Sequence, residues 1–154
     1  MKKNIIVGIS DYQVARSPHI LITYALGSCV GTAVFDKENR IGGLSHILLH
    51  DSTLFQNTEV KKYADTAIPA MVSKLLAYGA KKENLVAYIA GGAQTLIKPA
   101  ALYYEIGNSN IQAVRQALQK LSIPILAEEV GGFAGRTMSL DLESLQINIK
   151  TVKC

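Results

Sequence analysis

The sequence predicts an α+β fold, a layered sandwich with a mixed, largely antiparallel sheet and two main helices. Three observations support this class. Segments rich in β-branched residues dominate the first third, two helical periodicities follow, and the chain closes on a further hairpin pattern. This order of elements differs from the regular alternation of a repeated βαβ fold.

Four strands are predicted before residue 50. Ile, Val, Leu, Thr and Tyr are concentrated in segments that turn-forming or polar residues separate, a composition typical of strands. The polar cluster Asp36–Arg40 predicts a tight turn that folds the third and fourth of these strands into a hairpin. The predicted strands are Asn4–Gly8, His19–Ala25, Cys29–Phe35 and Ile41–Leu49.

Two helices and four further strands are predicted in the rest of the chain. Val60–Ala80 has apolar residues at helical spacing, with Gly79 as a stop signal. Pro69 inside it requires either a kink or a helix that starts near Thr66. Asn108–Leu121 predicts a second, amphipathic helix. The remaining predicted strands are Leu85–Ala90, Ile125–Val130, Arg136–Leu142 and Leu145–Val152.

The composition limits the classes of function that this chain can have. The 154 residues match one ordinary domain, 1–154, and 49% apolar residues are enough for a core, which excludes intrinsic disorder. Lys and Arg number 16 against 12 Asp and Glu, so the net charge is only +4. No basic stripe with interleaved aromatic residues is present, which argues against nucleic-acid binding.

The same composition predicts a cytoplasmic protein that is not inserted in a membrane. No apolar segment approaches the length of about 20 residues that a membrane span needs, and the N-terminus lacks a signal-peptide pattern. Two cysteines, Cys29 and Cys154, argue against a disulfide scaffold, and we expect them to stay reduced and unbonded.

Cys29 and His46 are the residues most suggestive of chemistry. If the two strands flanking Asp36–Arg40 pair so that facing residues sum to 75, Cys29 lies opposite His46, with Cβ atoms about 4.5–5.5 Å apart on one face. A thiol beside an imidazole is the minimum required for thiol nucleophilic catalysis. Each residue alone has a simpler interpretation, Cys29 as a buried apolar residue and His46 as a structural histidine.

Thr23 is a candidate for the third group, which orients the imidazole, although threonine is also simply a good strand former. A zinc site at His46 and His50 is not expected, because strand spacing would put them about 13 Å apart. The glycine-rich segments Gly91-Gly92 and Gly131–Arg136 match no phosphate loop, and Arg136 is expected to be solvated.

Several short motifs follow one another along the chain. They are Leu26-Gly27-Ser28-Cys29, Leu44-Ser45-His46, Lys62–Ala67, Ile89–Ala93, Ile106-Gly107-Asn108, Gly131-Gly132 and Gly135-Arg136. Taken in order, these motifs resemble the chemoreceptor glutamine deamidase family, CheD. The resemblance runs from near the start of the chain to about Val152, and the combination is specific where single motifs are not.

The resemblance implies a three-layer α/β sandwich and an amidohydrolase that converts glutamine side chains of chemotaxis receptors to glutamate. It implies a Cys–His–Thr triad of Cys29, His46 and Thr23 and a thioester intermediate, with no cofactor and no metal. The substrates would be cytoplasmic receptor helices, and many members of the family also bind the CheC phosphatase. For the oxyanion we expect backbone N–H groups at Ser28 or Cys29, with Gly27 allowing close approach.

Two other functions are compatible with the same residues. The first is a non-enzymatic regulator that binds CheC or a receptor helix, with Cys29 merely structural. The second is a thiol esterase that acts on glutamyl methyl esters of the receptors, because amide and ester share a carbonyl and differ only in the leaving group.

Overall fold

The computed structural model describes residues 1–49, 60–94 and 100–152, with side chains of the last range described from residue 106 onward. Within these ranges the chain forms nine strands and two α-helices, and no helix is long and apolar enough to cross a membrane. The strands are β1 Asn4–Ile6, β2 Asp11–Arg16, β3 Ile20–Leu26, β4 Val30–Asp36, β5 Ile41–Ile47, β6 Leu85–Gly91, β7 Ile125–Val130, β8 Gly135–Asp141 and β9 Gln146–Val152. The helices are α1 Ala64–Ala77 and α2 Ala100–Lys120.

The strands form two sheets. One sheet has four strands in the order β1-β3-β8-β9, and the other has five in the order β2-β5-β4-β6-β7. Most neighbours are antiparallel, and only β1 with β3 and β6 with β7 run parallel. The prediction of a mixed, largely antiparallel α+β sandwich is therefore confirmed, with the strands divided between two sheets.

Two apolar clusters define three layers. On one face of the five-stranded sheet, alternate β4 residues such as Val30 and Val34 pack against both helices. On its other face, Ala33 and Phe35 pack against Met138 of the four-stranded sheet. The five-stranded sheet is thus covered on both sides, which explains why every residue of β4 and β5 is buried.

The structure corrects three features of the prediction. β2 was not predicted, and it forms an edge strand beside β5. The second helix begins at Ala100, eight residues before the predicted start. The first helix begins at Ala64 and contains Pro69, so its residues before Ala64 are a short 3-10 turn instead of an α-helix. Pro69 is the sixth residue of α1 and lies inside the helix, where it removes one backbone hydrogen bond.

The pairing of β4 with β5 differs from the predicted register by two residues. Asp36 pairs with Ile41 and Gly31 pairs with His46, so facing residues sum to 77 instead of 75. The Asp36 carboxylate accepts hydrogen bonds from the N–H groups of Glu38 and Asn39 at 2.9 and 2.8 Å, which stabilises the loop between the paired residues Asp36 and Ile41. A shift by two leaves every side chain on its predicted face.

Candidate active site

The segment Gly27–Cys29 carries the chain from the four-stranded sheet to the five-stranded sheet. It leaves β3 through a one-residue bulge, where Ala25 adopts a left-handed conformation with φ of 60°. Bulges bend a strand and redirect its side chains. Cys29 therefore lies at the junction of the two sheets, directly before the first residue of β4.

Cys29 and His46 lie on the same face of the five-stranded sheet. His46 pairs with Gly31, and Cys29 precedes Gly31 by two residues, so the two side chains are diagonal neighbours and not directly opposed. Both are buried, and Cys29 packs in the apolar cluster between the two sheets. The predicted direct opposition is wrong, because the observed pairing is shifted by two residues from the predicted one.

Thr23 comes from the other sheet and contacts the imidazole directly. Its Oγ1 lies 2.8 Å from Nδ1 of His46 and 2.7 Å from the carbonyl oxygen of Val7. The Val7 carbonyl only accepts, so it takes the single hydroxyl proton, and Thr23 must then accept a hydrogen bond from Nδ1–H. This arrangement fixes the neutral tautomer of His46 and leaves the lone pair on Nε2.

Nε2 of His46 is buried, and it has no hydrogen-bond partner among the described residues. Burial lowers the pKa of His46 to about 4. Burial also raises the pKa of the Cys29 thiol to about 11, against the smaller opposite effect of its own backbone N–H. The resting site therefore contains a neutral thiol and a neutral imidazole with an unprotonated Nε2, in place of a preformed ion pair.

The backbone of Gly27–Cys29 is held by its carbonyl groups. The carbonyl oxygens of Gly27 and Cys29 accept from the N–H groups of Ala93 and Gly92, both at 2.8 Å. The N–H of Gly27 is already donated to Ala25. In the described part of the chain, the N–H groups of Ser28 and Cys29 have no hydrogen-bond acceptor on another residue. Both donors are therefore available for a developing oxyanion.

The backbone around Cys29 is packed unequally on its two sides by the described residues. A Cβ atom built on Gly27 would meet no atom of the described residues within 4 Å, whereas one on Gly91 would lie 2.2 Å from the carbonyl oxygen of Cys29. Gly91 also has a φ of 108°, in the left-handed region. The Cys29 backbone is thus enclosed on the Gly91 side, while none of the described residues packs against Gly27.

Arg136 lies near this turn and is buried, contrary to the expectation of a solvated side chain. It pairs with Leu26 within the four-stranded sheet, because β8 is the neighbour of β3. Its guanidinium donates a 3.3 Å hydrogen bond to the carbonyl of Gly91 and lies 3.8 Å from the Glu129 carboxylate. Arg136 therefore supports the turn that encloses Cys29.

The structure brings Thr23 and His46 into contact and places Cys29, Gly27 and Ser28 at the same junction. His50, considered above for a zinc site, and Cys154, expected to stay unbonded, lie outside the described residues. Within the described ranges, no group of three or more His, Cys, Asp or Glu side chains is placed to hold a metal ion. Sequence reasoning missed the Val7 carbonyl and Asn110, a buried residue of α2, because both contacts join distant parts of the chain.

Comparison with known proteins gives a consistent result. A family model described as CheD chemotactic sensory transduction matches residues 48–151. A Clostridium kluyveri protein named "Probable chemoreceptor glutamine deamidase CheD" is 48% identical over 152 residues, which cover 97% of this chain and 94% of that protein. A protein of the same name from Clostridium botulinum is 47% identical with the same coverage. The family model begins after His46, while the alignments with these relatives cover nearly the whole chain.

Proposed function

The chain belongs to the CheD family, and on this premise we propose that it hydrolyses glutamine side-chain amides of chemoreceptors to glutamate and ammonia. The names of the relatives support the reaction and the substrate class, at 48% and 47% identity across nearly all of both chains. The observation that carries the assignment of residues is the Thr23–His46 contact of 2.8 Å, which leaves Nε2 as a base on the face that holds Cys29.

In the proposed first step, Cys29 attacks the glutamine carboxamide. The thiol proton passes to Nε2 of His46 as sulfur bonds to the carbonyl carbon. The imidazolium then gives this proton to the amide nitrogen, the carbon–nitrogen bond breaks, and ammonia leaves a thioester on Cys29. Thr23 donates its hydroxyl proton in a hydrogen bond to the Val7 carbonyl and accepts a hydrogen bond from Nδ1–H of His46. These two hydrogen bonds hold the imidazole in the required tautomer.

In the second step, water releases the product. Nε2 of His46 takes a proton from water as the oxygen bonds to the thioester carbon. The carbon–sulfur bond breaks, the proton returns to sulfur, and glutamate leaves. The N–H groups of Ser28 and Cys29 are the proposed donors to the tetrahedral oxygen in both steps, and no cofactor enters the reaction.

The neutral resting state has a consequence for selectivity. A thiol with a pKa of about 11 is a poor nucleophile at neutral pH, since only a minute fraction is thiolate. Proton transfer to His46 must therefore accompany attack on a bound amide. This makes Cys29 selective for substrates that fit the site over general electrophiles.

We propose that the enzyme acts as one domain in the cytoplasm, where the receptor helices that carry the glutamines are accessible. Its substrates would be these helices, which would approach beside Gly27, against which none of the described residues packs. Binding of the CheC phosphatase stays a prediction of the family resemblance.

Intact-mass spectrometry of a receptor cytoplasmic fragment tests the proposal. The wild-type protein should add about one mass unit per converted glutamine and release equal ammonia, because an amide nitrogen is exchanged for oxygen. Cys29→Ala should add nothing. A fragment prepared with glutamyl methyl esters tests the esterase alternative. Loss of methanol without conversion of glutamines would contradict the proposed deamidation, and an unchanged mass in both fragments would favour a non-enzymatic regulator.

A further inference from the structure

Asn110 of α2 joins the two strand ends that carry the candidate nucleophile and base. Its side chain is fully buried, and its Nδ2 donates to the carbonyl oxygen of Ser28 at 3.0 Å and to that of Leu48 at 3.1 Å. Ser28 directly precedes Cys29, and Leu48 lies two residues after His46. Because both acceptors are carbonyls, the amide must present its nitrogen to them, and both of its protons are used.

The contact with Ser28 sets the direction of the next N–H group. The Ser28 carbonyl and the Cys29 N–H belong to one planar trans peptide, in which the two groups point in opposite directions. While Asn110 holds the carbonyl on the helix side, the Cys29 N–H is directed away from the helix. It lies within reach of the Cys29 sulfur, where it works against the effect of burial on the thiol.

Two glycines allow the helix to come close enough for this contact. A Cβ on Gly107 of α2 would lie 2.7 Å from the carbonyl oxygen of Gly92, and one on Gly92 would lie 2.4 Å from the side chain of Ile111. Gly92 in turn donates to the carbonyl of Cys29. The packing of α2 on the end of β6 therefore fixes the distance between Asn110 and the Ser28–Cys29 peptide.

We propose that Asn110 is a positioning residue for the oxyanion hole, which orients the Ser28–Cys29 peptide so that the Cys29 N–H faces the tetrahedral oxygen. The inference rests on the proposed deamidation, since it assigns a role within that reaction. It differs from a general structural role, because an oriented N–H donor stabilises an oxyanion, which forms during attack on a carbonyl and not during alkylation of the thiol. An N–H donor of this kind stabilises the transition state more than the bound substrate.

A comparison of two reactions of Cys29 tests this role. Amide hydrolysis passes through an oxyanion, whereas alkylation by iodoacetamide at alkaline pH displaces iodide and forms none. Asn110→Ala should lower kcat for deamidation about 10- to 100-fold with KM little changed, since the lost effect is in the transition state. The alkylation rate, corrected for the thiolate fraction of each protein, should stay within about twofold of wild type, because alkylation needs no oxyanion donor.

Asn108→Ala is the matched control, because Asn108 is an exposed asparagine on the same helix. Asn110→Asp is the second variant if the alanine protein does not fold, since it keeps the shape and loses the N–H donors at neutral pH. A parallel fall of deamidation and alkylation, or unchanged kcat in a folded Asn110 variant, would overturn the inference. Wild-type protein without deamidase activity would instead refute the proposed function, so the two failures are distinguishable.

Discussion

The two ends of the β4–β5 hairpin differ in the hydrogen bonding of their buried polar groups. At the turn end, the Asp36 carboxylate accepts four hydrogen bonds, two from backbone N–H groups within the turn, one from the Asn39 side chain and one from the N–H of Lys81. At the open end, Nε2 of His46 has no partner among the described residues, and Cys29 is buried as a neutral thiol.

This difference separates residues that hold the fold from residues available for chemistry. A buried carboxylate with four donors stabilises the turn and has no acceptor capacity left to attract a substrate. A buried base without a partner costs stability, and such groups persist where function requires them. The hairpin therefore places a stabilising carboxylate and a reactive imidazole at its two ends, on the same pair of strands.

Substitution at each end should separate activity from stability. His46→Gln should lower kcat/KM for deamidation at least about a thousandfold, because the general base is lost. Asp36→Ala should lower the free energy of unfolding by about 3 kcal/mol, because four part-buried hydrogen bonds are lost, while the folded fraction keeps most of its activity. Ammonia release and urea unfolding measure the two effects. A larger stability loss for His46→Gln than for Asp36→Ala would contradict the comparison.

Two glycines with the same backbone conformation offer a matched pair. Gly91 and Gly79 have φ of 108° and 110°, so alanine is strained at both. At Gly91 the new Cβ would also lie 2.2 Å from the Cys29 carbonyl oxygen, whereas at Gly79 its nearest contact is Ile41 at 3.7 Å. Gly91→Ala should lower kcat/KM about a hundredfold, since displacement of the nucleophile by 1 Å has this scale of effect.

Gly79→Ala should destabilise the fold by about 1 kcal/mol through its backbone strain and leave kcat/KM unchanged. Steady-state kinetics at a temperature where both variants are folded give the comparison. Equal activity of the two variants would show that the contact between Gly91 and Cys29 does not constrain the site.

Thr23 should tolerate serine and not valine. Thr23→Val keeps the shape and removes the hydroxyl that accepts from Nδ1, so kcat/KM should fall about 10- to 100-fold as the imidazole loses its fixed tautomer. Thr23→Ser restores the hydroxyl and most of the activity. Nitrogen NMR of the imidazole provides an independent readout, with Nδ1 protonated in wild type and a mixture of tautomers in Thr23→Val. A wild-type signal from protonated Nε2 would contradict the assigned hydrogen bonds.

Acid titration should distinguish the two ends of the hairpin, because His46 and Asp36 should affect the free energy of unfolding in different pH ranges. Burial lowers the pKa of His46 to about 4, below its unfolded value of about 6.5, so the unfolded state binds the proton first. Stability should therefore fall between about pH 6.5 and pH 4, by about 1.4 kcal/mol per pH unit at most. His46→Gln should remove this slope.

The contribution of Asp36 should be lost at lower pH. Burial acts to raise its pKa, but the hydrogen bonds from Asn39, Lys81 and Glu38 outweigh it and hold the pKa below its usual range. Its stabilisation is complete above the unfolded pKa of about 3.9 and disappears as the pH falls through the folded pKa. Urea unfolding at stepped pH values should show that Asp36→Asn flattens only this acidic part of the curve.

Local patterns in the sequence predicted most of the strands and both helices. They missed β2 because Asp11–Arg16 is a half-polar edge strand, paired only with β5, and its apolar content is low. They misjudged the register because hydrogen bonds to the Asp36 carboxylate fix where the loop closes, and these depend on a side-chain contact and not on composition.

The contacts that complete the site were beyond local reasoning. Thr23 meets His46 only because the two sheets pack face to face, and Asn110 reaches Ser28 across 82 residues of sequence. The resemblance to a family supplied Thr23 where the strand pattern left its role open. Nothing in the pattern indicates the Val7 carbonyl, since any residue type supplies a backbone acceptor.

The central claim is that hydrolysis passes through a thioester on Cys29, and hydroxylamine trapping tests it most directly. Hydroxylamine competes with water for an acyl-enzyme, so wild-type protein should convert part of the receptor glutamine to a hydroxamate, about 15 mass units heavier than the glutamate product. The hydroxamate share should rise with hydroxylamine concentration, and Cys29→Ala should form neither product. Glutamate as the sole product at every hydroxylamine concentration, or turnover by Cys29→Ala, would contradict the account.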